Sequence, residues 1–514
     1  MRYLLPLQIV LSLLPLMAAD IYQEKMNARI RTTYEVIPLS PTHDMGIIGT
    51  HFDWFPLDSF KPLYTSLGFL NAISGEEGGF FTFGYTIGVD YEFYDNLHID
   101  SGIYVGGGSG TYINFPNGGM LVRSHAGFEY EIDNVDLVLG ISRTDFPNTR
   151  SNKEFQTDYH PYIGMNFSND IWSKTDSKGY SNKIATFDGI FQNLRISPSL
   201  MYFDVDDKVV KKDRHEGDEA YQESFPLVGI QFDKFITDNI FISFETYGAL
   251  GSAAGYAAIL AGLGYDYKLL DYLTWESKII AGSAGDSRID TGGGLLVQPM
   301  TGLRINLTPS VSLQALAGRT YAPDGLFSAN AYQMALSFGT SNPKVKKGTY
   351  LFSSDAFENL QWVMSPSLKV YFPHDSTHKS TPEESEETIS LVGIVMAVPL
   401  NDWVSIRGST YWAMTGNIGS YAEGLFGAQL NSPKFTPLNI KANLMAEVGA
   451  GAGAGVNTSS GGFVTHYTAG LEIPMTKNTS LNLSAGHMET SDDKFKANSI
   501  VLAIDIKLNY LYAK

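Results

Sequence analysis

The sequence predicts an all-β chain: a transmembrane antiparallel β-barrel protein of about 24 strands, built as three tandem eight-strand repeats. Three observations predict this fold class. Only 18% of the residues are charged, whereas 13% are aromatic and 51 are glycine. Apolar side chains alternate with small or polar ones along many segments. One pattern of glycines and strands also recurs three times along the chain.

The first nineteen residues, 1–19, have the pattern of a secretory signal peptide. Arg2 provides the positive charge, residues 4–16 form a short apolar core, and Met17-Ala18-Ala19 provides the small residues of a cleavage site. The apolar core is too short to span a bilayer. The sequence therefore predicts an exported protein that is cleaved near Ala19.

The alternation of side chains has the period of two that strands require. It is clearest in the first repeat, where the apolar face carries Phe81, Phe83, Tyr85, Ile87, Val89, Tyr91 and Phe93, and the small or polar face carries Thr82, Gly84, Thr86, Gly88, Asp90 and Glu92. Apolar residues facing outward and small or polar residues facing inward are typical of a membrane barrel.

Three similar segments mark the internal repeats. They begin at Gly118-Gly119, Gly293-Gly294 and Gly461-Gly462, and each has a glycine eight residues after its second glycine, at Gly127, Gly302 and Gly470. Further upstream, Leu194-Arg-Ile-Ser-Pro198 corresponds to Trp362-Val-Met-Ser-Pro366. The predicted units are repeat 1 over 20–168, a linker with repeat 2 over 169–339, and a linker with repeat 3 over 340–514.

The second repeat shows the predicted strands and connections. Its eight strands are expected near 194–203, 226–234, 240–250, 255–267, 273–283, 293–306, 311–320 and 330–339. Short connections alternate with long ones, as in barrels that have periplasmic turns and external loops.

The whole mature chain resembles the bacterial outer-membrane β-barrel superfamily in its signal segment, its alternation and its unequal loops. One departure is the C-terminus, where Tyr510 and Tyr512 stand near the end instead of a terminal Phe or Trp. The resemblance implies a Gram-negative cell outer membrane as the location. It also implies a lipid bilayer, lipopolysaccharide and the barrel-assembly machinery as partners.

The number of barrels is a separate question. An even number of strands lets each repeat close on itself, whereas joining all repeats would give one wide barrel. Long links over 169–193 and 340–359, together with inward Gly, Ala, Ser and Thr, favour three narrow, filled barrels over one. The prediction of three small barrels follows.

Composition and motifs exclude several functions. The net charge of −18 argues against a nucleic-acid partner, which needs a basic surface. The glycine runs lack the Gly-Lys-Ser/Thr of a phosphate loop, and no cofactor is predicted. His-x-Ser occurs only at His374–Ser376 and His378–Ser380, in an acidic loop over 373–388 that no strand orders. We therefore expect no enzyme and no metal site, with a lipid-modifying hydrolase as the least favoured alternative.

Polar residues at inward positions are the candidate functional residues. They are Arg123, Gln298 and His466 at one set of equivalent positions, Glu129, Arg304 and Glu472 at another, and His125 nearby. One interpretation is a buried polar network that fills each small barrel. The other is a selective pore lining. The corresponding hypotheses are a porin-like channel for ions or small solutes, and a non-conducting scaffold or surface-ligand binder that acts through its external loops.

Overall fold

The computed structural model describes most of the chain. The described residues are 25–513 except 41–42, 56–59, 76, 109–118, 133–134, 148–154, 173–183, 187–193, 212–218, 254, 286–288, 309–310, 340–348, 352–356, 375, 377–386, 417–420, 436–438, 454–455, 458–461, 476–478 and 492–493. The predicted signal segment 1–19 and most of the acidic loop lie outside them.

The first barrel, barrel 1, closes from eight long antiparallel strands and carries one short extra strand. Its last long strand pairs with both the first and the seventh, which completes the ring. The strands are β1 (Lys25–Ser40), β2 (His43–Trp54), β3 (Leu63–Gly75), β4 (Phe81–Tyr94), β5 (Leu97–Gly108), β6 (Leu121–Ile132), β7 (Val135–Phe146), the short β8 (Phe155–Gln156) and β9 (His160–Trp172).

The second barrel, barrel 2, is also a closed ring of eight antiparallel strands. A short hairpin formed by β12 (Val210–Lys211) and β13 (Glu219–Ala220) follows its first strand, and a single 3-10 turn spans Gly251–Ala253. The wall strands are β11 (Leu194–Val205), β14 (Phe225–Phe235), β15 (Ile240–Ala249), β16 (Ala257–Leu270), β17 (Leu273–Gly285), β18 (Leu295–Asn306), β19 (Val311–Tyr321) and β20 (Ser328–Gly339).

The third barrel, barrel 3, closes in the same way, through pairing of its first and last strands. Outside the rings, β10 (Ile184–Thr186) pairs with β21 (Thr349–Leu351), which joins the two links between barrels. The wall strands are β22 (Phe357–His374), β23 (Ile389–Pro399), β24 (Val404–Thr415), β25 (Ala422–Asn431), β26 (Lys441–Ala452), β27 (Phe463–Pro474), β28 (Thr479–Thr490) and β29 (Lys496–Ala513).

The prediction of three small barrels is confirmed, and one wide barrel is wrong. The strands predicted for the second repeat match β11 and β14–β20 within three residues at nearly every end. The alternation of period two explains this agreement, because each strand has one face in the barrel interior and one outside. Among the described residues, no helix has the length and apolarity needed to cross a membrane.

Each barrel has two ends, which we call the entry end, where its first strand begins and its last strand ends, and the far end. The far half of each interior is apolar. Three clusters of buried side chains fill it, one per barrel, and each consists of residues from a single barrel. In barrel 2 the cluster includes Phe203, Phe225, Tyr256 and Phe327, whose rings lie 5.4–6.4 Å apart. The entry half of each interior is polar.

Barrel 1 packs against barrel 3 along outward-facing apolar side chains. Phe83 of β4 is fully buried against Val392 and Met414 of barrel 3. Trp54 forms a second cluster with Met364 and neighbouring residues of β29, and the Tyr85 hydroxyl donates to the carbonyl of Gly393. The apolar stripe predicted on β4 is therefore outward-facing, but its far half contacts barrel 3.

Barrel 1 also packs against barrel 2, through glycines at the far end. A Cβ atom on Gly293 would lie 2.6 Å from the Cα of Ser74 in β3, so the two backbones are in close contact. The hydroxyl of Ser283 in β17 donates to the carbonyl of Ala72. Barrel 1 thus contacts both other barrels.

Candidate functional site

The entry half of barrel 2 is organised around one buried arginine. Arg195 on β11 donates from Nε to Asp233 at 2.8 Å and from Nη1 to Asp266 at 3.0 Å, and its Nη2 lies 3.1 Å from Glu276. Its guanidinium lies over the rings of Phe235 and Phe241, at 5.1 and 4.7 Å from their centroids. Each guanidinium nitrogen therefore has a carboxylate, and the two aromatic rings, whose centroids are 5.2 Å apart, pack against the guanidinium from the same side.

Barrel 1 has the same arrangement around Arg29 on β1. Its guanidinium lies over Phe55 and Tyr64, at 5.5 and 5.0 Å from their centroids. The carboxylates paired with it are Asp53 at 2.8 Å, Asp90 at 2.5 Å, Asp100 at 3.1 Å and Glu129 at 2.8 Å. We call each of these groups, the arginine with its rings and its carboxylates, an arginine plug.

The strand registers show that the two plugs occupy equivalent positions, and they identify the residues of barrel 3 at the same positions. The equivalent sets are Arg29, Arg195 and Val363; Asp53, Asp233 and Ala397; Phe55, Phe235 and Pro399; Tyr64, Phe241 and Ser405; Asp90, Asp266 and Asn431; and Asp100, Glu276 and Asn443. Barrel 3 has thus replaced the arginine, both rings and three carboxylates with smaller or neutral residues.

A cavity of about 120 Å³ lies in barrel 3 where the arginine plug lies in the other two barrels. Its wall includes five of the six replacement residues, Val363, Ala397, Pro399, Ser405 and Asn431. Deeper in the barrel, Lys369 and Glu423 form a fully buried ion pair of 2.7 Å below the apolar cluster. The cavity is therefore at the entry end, and packed side chains separate it from the far end.

The predicted site residues of barrel 1 all lie in its interior on β6. Arg123 pairs with Glu35 at 2.7 Å, and its guanidinium lies over the ring of Tyr162. His125 contacts Asp100 at 2.7 Å, and Glu129 contacts Arg29 at 2.8 Å. His125 and Glu129 thus belong to the network around the arginine plug, while Arg123 lies in the next layer toward the far end.

The remaining predicted residues lie in the other two barrels, so the seven do not form one site. Gln298 is fully buried, with its amide nitrogen 3.6 Å from the sulfur of Met201. Arg304 contacts Asp266 and Glu276 of the barrel 2 plug. His466 contacts Ser499 at 2.9 Å, and Glu472 pairs with Lys507 at 3.1 Å.

The central residues Arg29 and Arg195 were missed by sequence reasoning, although a signal for them was present. The aligned segments Leu194–Pro198 and Trp362–Pro366 make Arg195 equivalent to Val363. The two repeats therefore differ at this inward position. The buried pairs Lys278–Glu245 and Lys369–Glu423 were also missed. All four residues are charged side chains that are buried on the interior faces of their strands.

The His-x-Ser pattern lies at the far end of barrel 3. The Ser376 hydroxyl donates to the carbonyls of His374 and Lys496, at 3.0 and 2.7 Å, so it is bound to backbone groups. His378 and Ser380 lie outside the described residues. Within the described part of the chain, no group of three or more His, Cys, Asp or Glu residues could hold a metal ion.

The closed rings and outward apolar faces define the class: a transmembrane antiparallel β-barrel protein, here with three barrels in one chain. No family model and no curated relative matches the sequence. Among solved structures, the siderophore receptor PirA from Acinetobacter baumannii is 8% identical, with 95% of this chain and 81% of that chain covered and a TM-score of 0.28.

Two further solved structures have similar values. For the FrpB iron transporter from Neisseria meningitidis, the identity is 8%, the coverage is 95% of this chain and 82% of that chain, and the TM-score is 0.28. For OccK5 from Pseudomonas aeruginosa, the identity is 8%, the coverage is 96% of this chain and 100% of that chain, and the TM-score is 0.22. TM-scores this low carry no information about the function of this chain.

Proposed function

We propose that this protein resides in a bacterial outer membrane, conducts no solutes, and acts at the membrane surface through its external loops. The observation that carries the proposal is the packed apolar layer that closes the far half of each barrel interior. A polar layer in the entry half is followed by an apolar layer in the far half. A solute would have to displace both layers to cross.

The outer faces support the membrane location. Large apolar side chains project from the barrel walls with about half or more of their surface exposed, among them Leu139, Ile163, Leu263, Ile279 and Leu444. In a β-barrel these outward positions face lipid, which removes the cost of exposing them to water. The proposed partners are therefore the lipid bilayer and lipopolysaccharide around the barrels, and the barrel-assembly machinery during insertion.

The interior of barrel 2 shows how closely its two layers are packed. On the entry-end side of the aromatic cluster, Lys278 and Glu245 form a fully buried ion pair, and Gln333 donates to Gln231 at 3.1 Å. The arginine plug follows, closer to the entry end. Interlocked side chains of this kind favour a structural role for the interior over a pore lining.

A porin-like channel is the second candidate function. The specific observation in its favour is the cavity of barrel 3, which leaves open part of the interior that a solute would cross. Conduction along this path would require the buried residues Leu391, Tyr411 and Tyr421 to move aside.

Single-channel recording of the refolded mature protein in a planar bilayer tests the proposal. We expect no conductance steps from protein whose folding is verified by heat-modifiable gel mobility. Stable, ion-selective steps would contradict it and would support a channel. A variant with Leu391→Gly and Tyr421→Gly, which removes two large side chains from the apolar layer of barrel 3, provides the control. Current through this variant but not through the wild type would show that this layer blocks conduction through barrel 3.

A further inference from the structure

We infer that barrel 3 binds a compact organic cation, an alkylguanidinium or alkylammonium group, in the cavity at its entry end. This inference goes beyond the proposed function and does not depend on it, because the cavity belongs to the interior of one barrel.

The first step is the coordinated loss of the arginine plug. Val363 replaces the arginine, and Pro399 and Ser405 replace the two rings that cover the guanidinium in barrels 1 and 2. Of the former carboxylate positions, Ala397 and Asn431 line the cavity. Barrel 3 lacks both the arginine and the carboxylates that pair with it in the other barrels. Ala397 and Asn431 therefore leave no unpaired carboxylate at the former carboxylate positions.

The second step is a carboxylate that only barrel 3 has at its position. Asp505 on β29 lines the cavity, and the equivalent residues of the other barrels are Asn166 and Ser337. Asp505 is about nine-tenths buried and accepts hydrogen bonds from Ser365 at 2.7 Å and from Asn482 at 3.3 Å. Barrel 3 thus has a buried carboxylate beside the position at which the other two barrels have the arginine plug.

No cation of the described residues forms an ion pair with Asp505. Two of the three cations that line the cavity have other partners: Arg407 pairs with Glu447 at 2.9 Å, and Lys507 pairs with Glu472 at 3.1 Å. The third, Lys441, lies at the start of β26 and forms no ion pair with Asp505. A buried carboxylate that is held only by neutral donors gains strongly from a cationic partner. The cavity can supply room for one, because it extends to Asp505.

The remaining wall fits the rest of such a ligand. One side is apolar, with Val363, Val395, Ala397, Val501 and Ala503, and suits a short alkyl chain. The other side carries amides and hydroxyls, from Gln429, Asn431, Ser405 and Ser484, which accept hydrogen bonds from N–H groups. The wall carries six charged side chains, the carboxylates Asp402, Glu472 and Asp505 and the cations Arg407, Lys441 and Lys507. Because Arg407 and Lys507 pair with other carboxylates, Asp505 is the buried carboxylate of this wall that has no ion pair with a described residue.

The test uses N-propylguanidinium chloride, which reproduces the part of an arginine side chain that barrel 3 lacks. Its binding to the full mature protein in detergent micelles is measured by isothermal titration calorimetry. We expect saturable binding to the wild type, and an affinity about tenfold or more weaker in Asp505→Asn, since a charge-assisted hydrogen bond is lost. Val363→Arg should abolish binding, because its own side chain enters the cavity.

The matched control is Asp402→Asn, which removes an exposed carboxylate of the wall and should leave the affinity within about twofold of the wild type, since exposed charges interact weakly. Sodium butyrate provides an anion of similar size. No saturable binding of N-propylguanidinium, equal weakening by Asp505→Asn and Asp402→Asn, or tighter binding of butyrate would each overturn the inference.

Because a variant can fail to fold, each one is first checked by heat-modifiable gel mobility. The wild type also tests the inference without any variant. Bound N-propylguanidinium should raise its unfolding midpoint in urea, as a ligand that binds only the folded state does. N-propylurea, a neutral molecule of the same shape, should not, and an equal shift by both compounds would contradict a cation site.

Discussion

A guanidinium is costly to bury, and Arg195 shows how a narrow barrel offsets that cost. Three carboxylates on three different strands meet its three nitrogens, and two aromatic rings pack against it from one side. The same side chain therefore ties β11, β14, β16 and β17 together across the interior. A buried ion network of this kind is strongly destabilised when a single member is removed, because its partners stay charged and buried.

Arg195→Ala is expected to lower the free energy of unfolding by about 3–5 kcal/mol, since Asp233, Asp266 and Glu276 lose their shared partner. Urea unfolding followed by tryptophan fluorescence measures the change. Arg319→Ala is the matched control: Arg319 pairs with Asp206 at an exposed site, so its loss should cost at most about 1 kcal/mol. Equal losses for the two variants would refute a special role of the plug.

The stability of the far-end loop just after β11 is expected to depend on acid pH, because Asp206 in this loop is held by hydrogen bonds to its carboxylate. Burial alone would raise the pKa of Asp206, but hydrogen bonds from Ser328 and Arg319 outweigh burial and lower it below its ordinary 3.8. A lowered pKa means that the bound loop is stabilised at neutral pH and loses this stabilisation as the pH falls through the lowered value.

We therefore expect the amide of Val209, which donates to the carbonyl of Asp206, to lose protection from hydrogen exchange below about pH 4. Hydrogen exchange with mass spectrometry at a series of pH values measures this, after correction for intrinsic exchange rates. In Asp206→Asn the protection should not vary with pH over this range. A wild-type profile as flat as that of the variant would exclude Asp206 as the titrating group.

At the scale of the strand, alternation predicted most of what the structure contains. The candidate residues on β6, β18 and β27 lie on the interior faces of these strands, where side chains at i and i+2 share a face. Their equivalence across repeats agrees with the registers, which place all three as the sixth wall strand of a barrel. Arg29 and Arg195 were missed because one sequence does not show which inward residues meet across a barrel.

Contacts between barrels could not be predicted from alternation. Phe83 and Tyr91 have the same spacing and the same apolar character on β4, yet Phe83 is buried against barrel 3 and Tyr91 is exposed. Which part of an outward face meets another barrel depends on how the closed rings are placed. That placement is a long-range property with no periodic trace in the sequence.

Gly293 offers a test of the contact between barrels 1 and 2. Gly293→Ala is expected to cost about 1–3 kcal/mol of stability, because its Cβ would lie 2.6 Å from the Cα of Ser74 and one backbone must shift. Urea unfolding midpoints provide the measurement. Gly248→Ala, where an added Cβ meets nothing within 4 Å, is the matched control. Similar midpoints for the two variants would mean that the contact is loose.

At the scale of the molecule, each barrel closes with its own strands and has its own apolar cluster. Barrel 2 is the clearest case, since its ring and its largest cluster contain only its own residues. We therefore expect a fragment of residues 187–339 to refold alone in detergent and to show heat-modifiable gel mobility.

A fragment of residues 219–339 is the control, because it lacks β11 and cannot close the ring. It should remain unfolded under the same conditions. If the longer fragment also fails to refold, the contacts with barrel 1, such as Ser283 to Ala72, are needed for barrel 2 to fold.

The pairing of β10 with β21 joins the two links of a chain that has three barrels. In an assembly of identical subunits, every amino-acid substitution enters all copies at once. When all three barrels belong to one chain, this restriction is absent, because each barrel can differ from its neighbours at equivalent positions. The arginine plug is a difference of this kind: two barrels have it, and the third has a cavity in its place.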